Sequence, residues 1–201
     1  RDFAEAFGYC GLWAKVVTDV QWPLHTAHKA HVLAALARLG SHCRKMGVDG
    51  LRGGVEDLPS LSRLCPAVQA ADISGIGVHG VDPVVWCAWG PSLRRLRLAF
   101  FYDACDGPPA LRRVLRDVVE GCPGLEELAV AGMDWLSAGE ACLAALTEYG
   151  EAPLPGLKRL ELAGCEALLH GDATSSFARL VVARPGLALR ITARPTPNLD
   201  W

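Results

Sequence analysis

A chain of 201 residues, 51% of them hydrophobic, is long enough for one continuous buried core, and one domain architecture is the economical reading. Twenty basic residues against 22 acidic ones leave a formal net charge of −2, which excludes a global field that draws the chain to nucleic acid or to an anionic membrane. No window of about 18 residues is uniformly apolar, so no membrane span is expected.

In chain order, residues 1–25 come first. This stretch carries Cys10, Trp13 and Trp22 and buries Phe7, Leu12, Val16 and Val20 if it forms an amphipathic cap. Its first residue is Arg1 rather than Met, and no basic-then-apolar leader follows, so a fragment or a processed product is expected. From Cys43 onward one phrase recurs: CRKMGV, VQAADI, LRRLRL, LEELAV, LKRLEL and a shortened LALRI. The six copies start at Cys43, Val68, Leu93, Leu125, Leu157 and Leu187, spaced by 25, 25, 32, 32 and 30 residues. The full-length copies place apolar residues at positions one, four and six. Self-similarity of that period is the signature of stacked repeats, each one strand followed by a return segment.

The return segments carry helical spacing over Ala27–Leu39, Leu58–Leu64, Pro108–Val119, Ala138–Tyr149 and Ala173–Val182. In the third of these, Leu111, Val114, Leu115, Val118 and Val119 recur at i, i+3, i+4, i+7 and i+8, with Arg112, Arg113, Arg116 and Asp117 opposite. Trp86 and Trp89, three apart, read as core and helix packing. Proline marks the entry to five strands, at Pro66, Pro91, Pro123, Pro155 and Pro185.

The segments CPGLEELAVAG and LPGLKRLELAGC resemble the cysteine-containing leucine-rich repeats of F-box/LRR proteins and the related ribonuclease-inhibitor-like folds, over residues 43–193. The resemblance implies an α/β leucine-rich-repeat solenoid: a parallel curved sheet of about six strands, outer helices and an N-terminal helical cap. Residues 1–25 are then the cap or the end of an F-box, and 26–201 the repeat domain. One departure is that the Asn/Cys slot after the strand holds Leu51, Ile76, Phe101, Met133 and Cys165, of which only Cys165 fits. Without a side-chain ladder, those turns must rely on backbone pairing or water.

Cys10-x-x-Trp13 followed by Trp22 resembles the closing part of an F-box, which docks the adaptor Skp1; the opening Leu-Pro part is not present. The eight cysteines are spread through the chain without a C-x-x-C pair, which opposes zinc and points to reduced thiols in the cytoplasm or nucleus. His25, His28 and His31 are spaced by three on an expected helix and do not converge on one metal. No nucleophile elbow, phosphate loop, zinc-protease or dinucleotide fingerprint occurs. No enzyme, no cofactor and no metal are therefore expected.

Alternation sends Arg95, Arg97, Arg159 and Glu161 to the concave face, away from the apolar positions, together with Lys45, Gly47, Ala70, Asp72, Glu127 and Ala129. Arg112, Arg113 and Arg116 sit on the outer helix, so the arginines form no single nucleic-acid patch. After the strands, Phe100, Tyr102 and Trp135 offer aromatic anchors of the kind enriched at binding hot spots. The expected function is a non-catalytic protein-binding module: the substrate-receptor part of an F-box/LRR component of a Skp1–cullin ubiquitin ligase, or a repeat scaffold in a larger assembly without Skp1. Arg95, Arg97, Tyr102, Trp135, Arg159 and Glu161 are the candidate partner surface, and Cys10, Trp13 and Trp22 the candidate adaptor contact.

Overall fold

The computed structural model describes residues 19–22, 33–34, 36–38, 40–49, 55–76, 82–100, 108–131, 143–144, 146–147, 154–164 and 175–192. Seven strands form one sheet: β1 (Asp19–Trp22), β2 (Lys45–Asp49), β3 (Ala70–Ile76), β4 (Arg95–Phe100), β5 (Glu127–Ala131), β6 (Arg159–Ala163) and β7 (Ala188–Thr192). Their order in the sheet is their order in the chain, and all six pairings are parallel. Parallel neighbours require a crossover. The crossovers carry α1 (Leu58–Leu64), α2 (Pro83–Trp89), α3 (Pro108–Gly121) and α4 (Ser175–Ala183), with further helical residues at 33–38 and 143–147. This is the expected α/β alternation with a parallel sheet.

Register explains why the phrase repeats. Met46, Ala71, Leu96, Leu128, Leu160 and Leu189 stand side by side as position four, and Val48, Ile73, Leu98, Val130, Leu162 and Ile191 as position six. Apart from Leu189 and Ile191, all of these are buried, in one cluster with Leu61, Trp86, Trp89, Val114 and Leu115 from the helices. The helices therefore cover the apolar face of the sheet, and alternation turns the flanking residues to the other face. Helix α3 buries Leu111, Val114, Leu115, Val118 and Val119, as its spacing predicts.

Unit length follows helix length. The units of 25 residues hold seven-residue helices, whereas the 32-residue unit from β4 to β5 holds the 14-residue α3. Those seven added residues are about two turns. Helix α2, absent from the helical segments predicted above, is started by Asp82, whose carboxylate accepts the Val84 N–H at 2.9 Å, and by Pro83.

Stacking is tight where helices end. Helix α1 packs on α2, and α2 on α3. A β-carbon at Gly90 would overlap the Gly121 carbonyl, and one at Gly40 the Leu64 carbonyl. The Trp89 indole crosses the same seam, donating to the Cys65 carbonyl at 3.0 Å, and the Ser92 hydroxyl reaches the Pro66 and Val68 carbonyls at 2.9 and 2.8 Å.

At the strand entries, backbone does the work expected of a side-chain ladder. The Arg44 carbonyl accepts from Gln69 and Ala70, that of Gln69 from Arg94 and Arg95, that of Arg94 from Glu126 and Glu127, and that of Glu126 from Lys158 and Arg159. Side chains assist: the Arg94 guanidinium donates to the Gly124 carbonyl at 3.2 Å and that of Arg44 to Ser41 at 2.7 Å. Of the post-strand slots only Ile76 lies among the described residues; it pairs with Phe100 beyond an irregularity at Gly75, whose φ is 63°.

Two expectations change. The helical cap over residues 1–25 does not extend to Asp19–Trp22, which form β1, paired with Lys45–Val48, so the sheet has seven strands rather than about six. Residues 1–18 lie outside the described residues. Phe100, offered as a surface anchor, is buried at 5% exposure, because it stands two residues beyond Leu98 on the same apolar side.

Candidate functional site

The flanking face of the sheet presents two charged rows, each one residue deep across consecutive strands. One row is Lys45, Ala70, Arg95, Glu127, Arg159 and Ala188; the other is Gly47, Asp72, Arg97, Ala129, Glu161 and Arg190. Adjacent parallel strands lie about 4.8 Å apart, so each residue is within reach of its neighbours. The rows differ in how their charges are used.

In the second row the charges pair among themselves. Arg97 Nη1 donates to Asp72 Oδ2 at 2.9 Å across β3 and β4, leaving the Arg97 side chain 16% exposed. Glu161 is almost wholly buried, its Oε2 held by Arg159 Nη2 at 3.4 Å from its own strand and by Arg190 Nη1 at 3.8 Å from β7. A carboxylate removed from water in this way requires cationic partners, and two half-exposed arginines supply them. Ala129, between Arg97 and Glu161, is buried as well.

In the first row Arg95 and Glu127 stand in register, carry opposite charges, are partly exposed, and form no ion pair among the described residues. Arg159, next in the row, turns its guanidinium toward Glu161 and stays 41% exposed. Arg95 and Glu127 are thus the groups whose charge the sheet does not consume.

Arg95, Arg97, Arg159 and Glu161 are therefore brought onto one face, as alternation predicts, with distinct roles that alternation does not reveal. Tyr102 and Trp135 of the candidate surface lie outside the described residues, as do Cys10, Trp13, His25, His28 and His31; of Trp22 the backbone alone is described. Arg190 is the residue the sequence reading missed. Its signal was present in the shortened phrase LALRI, where Arg190 takes the place that Glu161 holds in LKRLEL.

Outside this face, chemistry is quiet. The Ser62, Ser74 and Ser92 hydroxyls donate to backbone carbonyls rather than to a base. Cys43, Cys65, Cys87 and Cys122 are free thiols. Burial pushes the Cys122 thiol up to about 12, with the neighbouring Cys87 adding to the effect. A hydrogen bond with Cys43 lowers the Cys65 thiol against its own burial. On the rim, Lys158 Nζ meets Glu126 Oε2 at 2.6 Å and holds that carboxyl below its ordinary range. Among the described residues, no group of three His, Cys, Asp or Glu side chains is placed to hold a metal ion, and no helix is long and apolar enough to cross a membrane.

No protein-family model matches the chain, and no curated protein matches it.

Proposed function

We propose that the chain is a leucine-rich-repeat solenoid acting as a non-catalytic protein-protein interaction module, a scaffold that offers its charged sheet face to a partner protein. The observation that carries this reading is the parallel sheet in chain order, with the same two phrase positions turned to the core in β2 to β7. Such an array spreads side chains over a wide continuous face and needs no pocket, which suits recognition of another macromolecule. Serine hydroxyls committed to carbonyls and a buried Cys122 thiol pushed up to about 12 support a non-catalytic role.

The second reading, a substrate receptor that docks Skp1 through Cys10, Trp13 and Trp22, rests on the F-box-like spacing. Strand β1 favours the scaffold, because Asp19–Trp22 is hydrogen-bonded into the sheet. The test is binding of purified Skp1 at micromolar concentration, where an adaptor contact of roughly −8 kcal/mol registers. Absence of binding is the outcome expected for the scaffold. Binding that Trp13→Ala abolishes, with the fold intact, would replace it by the receptor.

A further inference from the structure

Parallel strands repeat about every 4.8 Å, so Arg95 on β4 and Arg159 on β6, two strands apart, lie about 9.6 Å from each other along the row. Glu127 stands between them. Arg95 and Glu127 make no ion pair among the described residues, and Arg159 shares Glu161 with Arg190, so two cations serve one carboxylate there. From β4 to β7 the two rows hold four arginines, Arg95, Arg97, Arg159 and Arg190, against Glu127 and Glu161. The face has a local positive excess in a chain whose net charge is −2.

An acidic occupant fits this excess, and the row sets its form. A polyproline II segment rises about 3.1 Å per residue with three residues per turn, so side chains at i and i+3 point the same way about 9.3 Å apart. That distance matches two strand spacings. A fully extended strand alternates sides, so its i and i+3 side chains point apart. A nucleic-acid backbone, with charges of one sign at every step, would set phosphates against Glu127 and Glu161. A peptide can leave the position opposite Glu127 neutral.

We propose that the Arg95–Glu127–Arg159 row binds a polyproline II segment of a partner protein bearing carboxylates at i and i+3, one on Arg95 and one on Arg159. Glu161 acts as a positioning residue that holds Arg159 in place from beneath. The proposal rests on the protein-binding reading above and names the chemistry of its partner.

The experiment titrates the full chain against a fluorescent peptide of repeated Glu-Pro-Pro, with a peptide of equal length and equal Glu content, its glutamates contiguous, as the control. Binding of the spaced peptide at least tenfold tighter than the control is expected. Arg95→Gln and Arg159→Gln should each weaken it fivefold or more with unchanged melting temperature, whereas Glu126→Gln on the rim should not. Rescue by Arg95→Lys supports a charge contact. Equal affinity for the two peptides, no effect of Arg95→Gln, or tighter binding of single-stranded RNA overturns the proposal. Should the peptide fail while Trp135→Ala still weakens capture of a protein partner, the row alone is withdrawn; failure of both withdraws the protein-binding reading.

Discussion

Strand β4 and strand β7 carry the same phrase and hold it differently. In β4, Leu93, Leu96 and Leu98 are fully buried; in β7 the equivalent Leu187, Leu189 and Ile191 are only partly buried against the core. On the helix side, α2 buries Val85, Trp86 and Trp89, whereas α4 buries Leu180 and exposes Val181 and Val182. Both strands have the composition a core strand needs. The difference lies in their neighbours: β4 has a strand on each side, and β7 is paired, among the described residues, on one side only. Burial in a stacked array belongs to the junction between units rather than to the unit itself.

The sharpest way to break that comparison is to truncate one leucine in each strand. Leu96→Ala should cost about 3 kcal/mol and Leu189→Ala about 1 kcal/mol, read from urea midpoints at constant slope. Equal losses would mean that β7 is as fully integrated as β4. Glycines offer the next contrast. A methyl group at Gly90 meets the Gly121 carbonyl, whereas one at Gly186 meets nothing within 4 Å. Gly90→Ala is expected to lose about 2 kcal/mol, and the same change at Gly186 to stay within about 0.5 kcal/mol.

Ser92→Ala tests the seam beside Gly90 with a smaller effect. Its hydroxyl is shared among the Pro66, Val68 and Trp89 carbonyls, and about 1 kcal/mol should disappear with it in thermal melts. The smallest effect belongs to the rim pair of Lys158 and Glu126. Since the folded carboxyl is held low, its contribution is present above the ordinary carboxylate value and is lost as pH falls through the folded value. Carboxyl NMR of Lys158→Ala should show Glu126 titrating closer to its ordinary range; no movement would detach the shift from Lys158.

The apolar ladders were legible because alternation leaves one arrangement for leucines at positions four and six. Strand β1 was not, since Asp19-Val20-Gln21-Trp22 lacks the leading leucine that marks the other phrases, and its tryptophan drew attention to a different motif. Helix α2 is seven residues long, too short for periodicity to stand out from the two tryptophans it carries. On the charged face, position in the row could be read, but occupancy could not. Arg95 and Arg97 are identical in type and two residues apart, and only the carboxylate of Asp72, 25 residues earlier, decides that one is paired and the other is not. Likewise nothing in LKRLEL says that Glu161 is buried; that depends on Arg190 arriving from the following unit.

The shortened sixth phrase also has a mechanical side. At the inner junctions one carbonyl grips two successive N–H groups of the next unit, but at the last junction the Lys158 carbonyl takes Ala188 alone, because the Leu187 N–H turns back to Arg184. Stretched between its ends in an optical trap, the array should therefore give way by peeling rather than all at once. The first and lowest rip should correspond to release of β7 and α4, and later, larger rips to junctions that must break two bonds at each clasp.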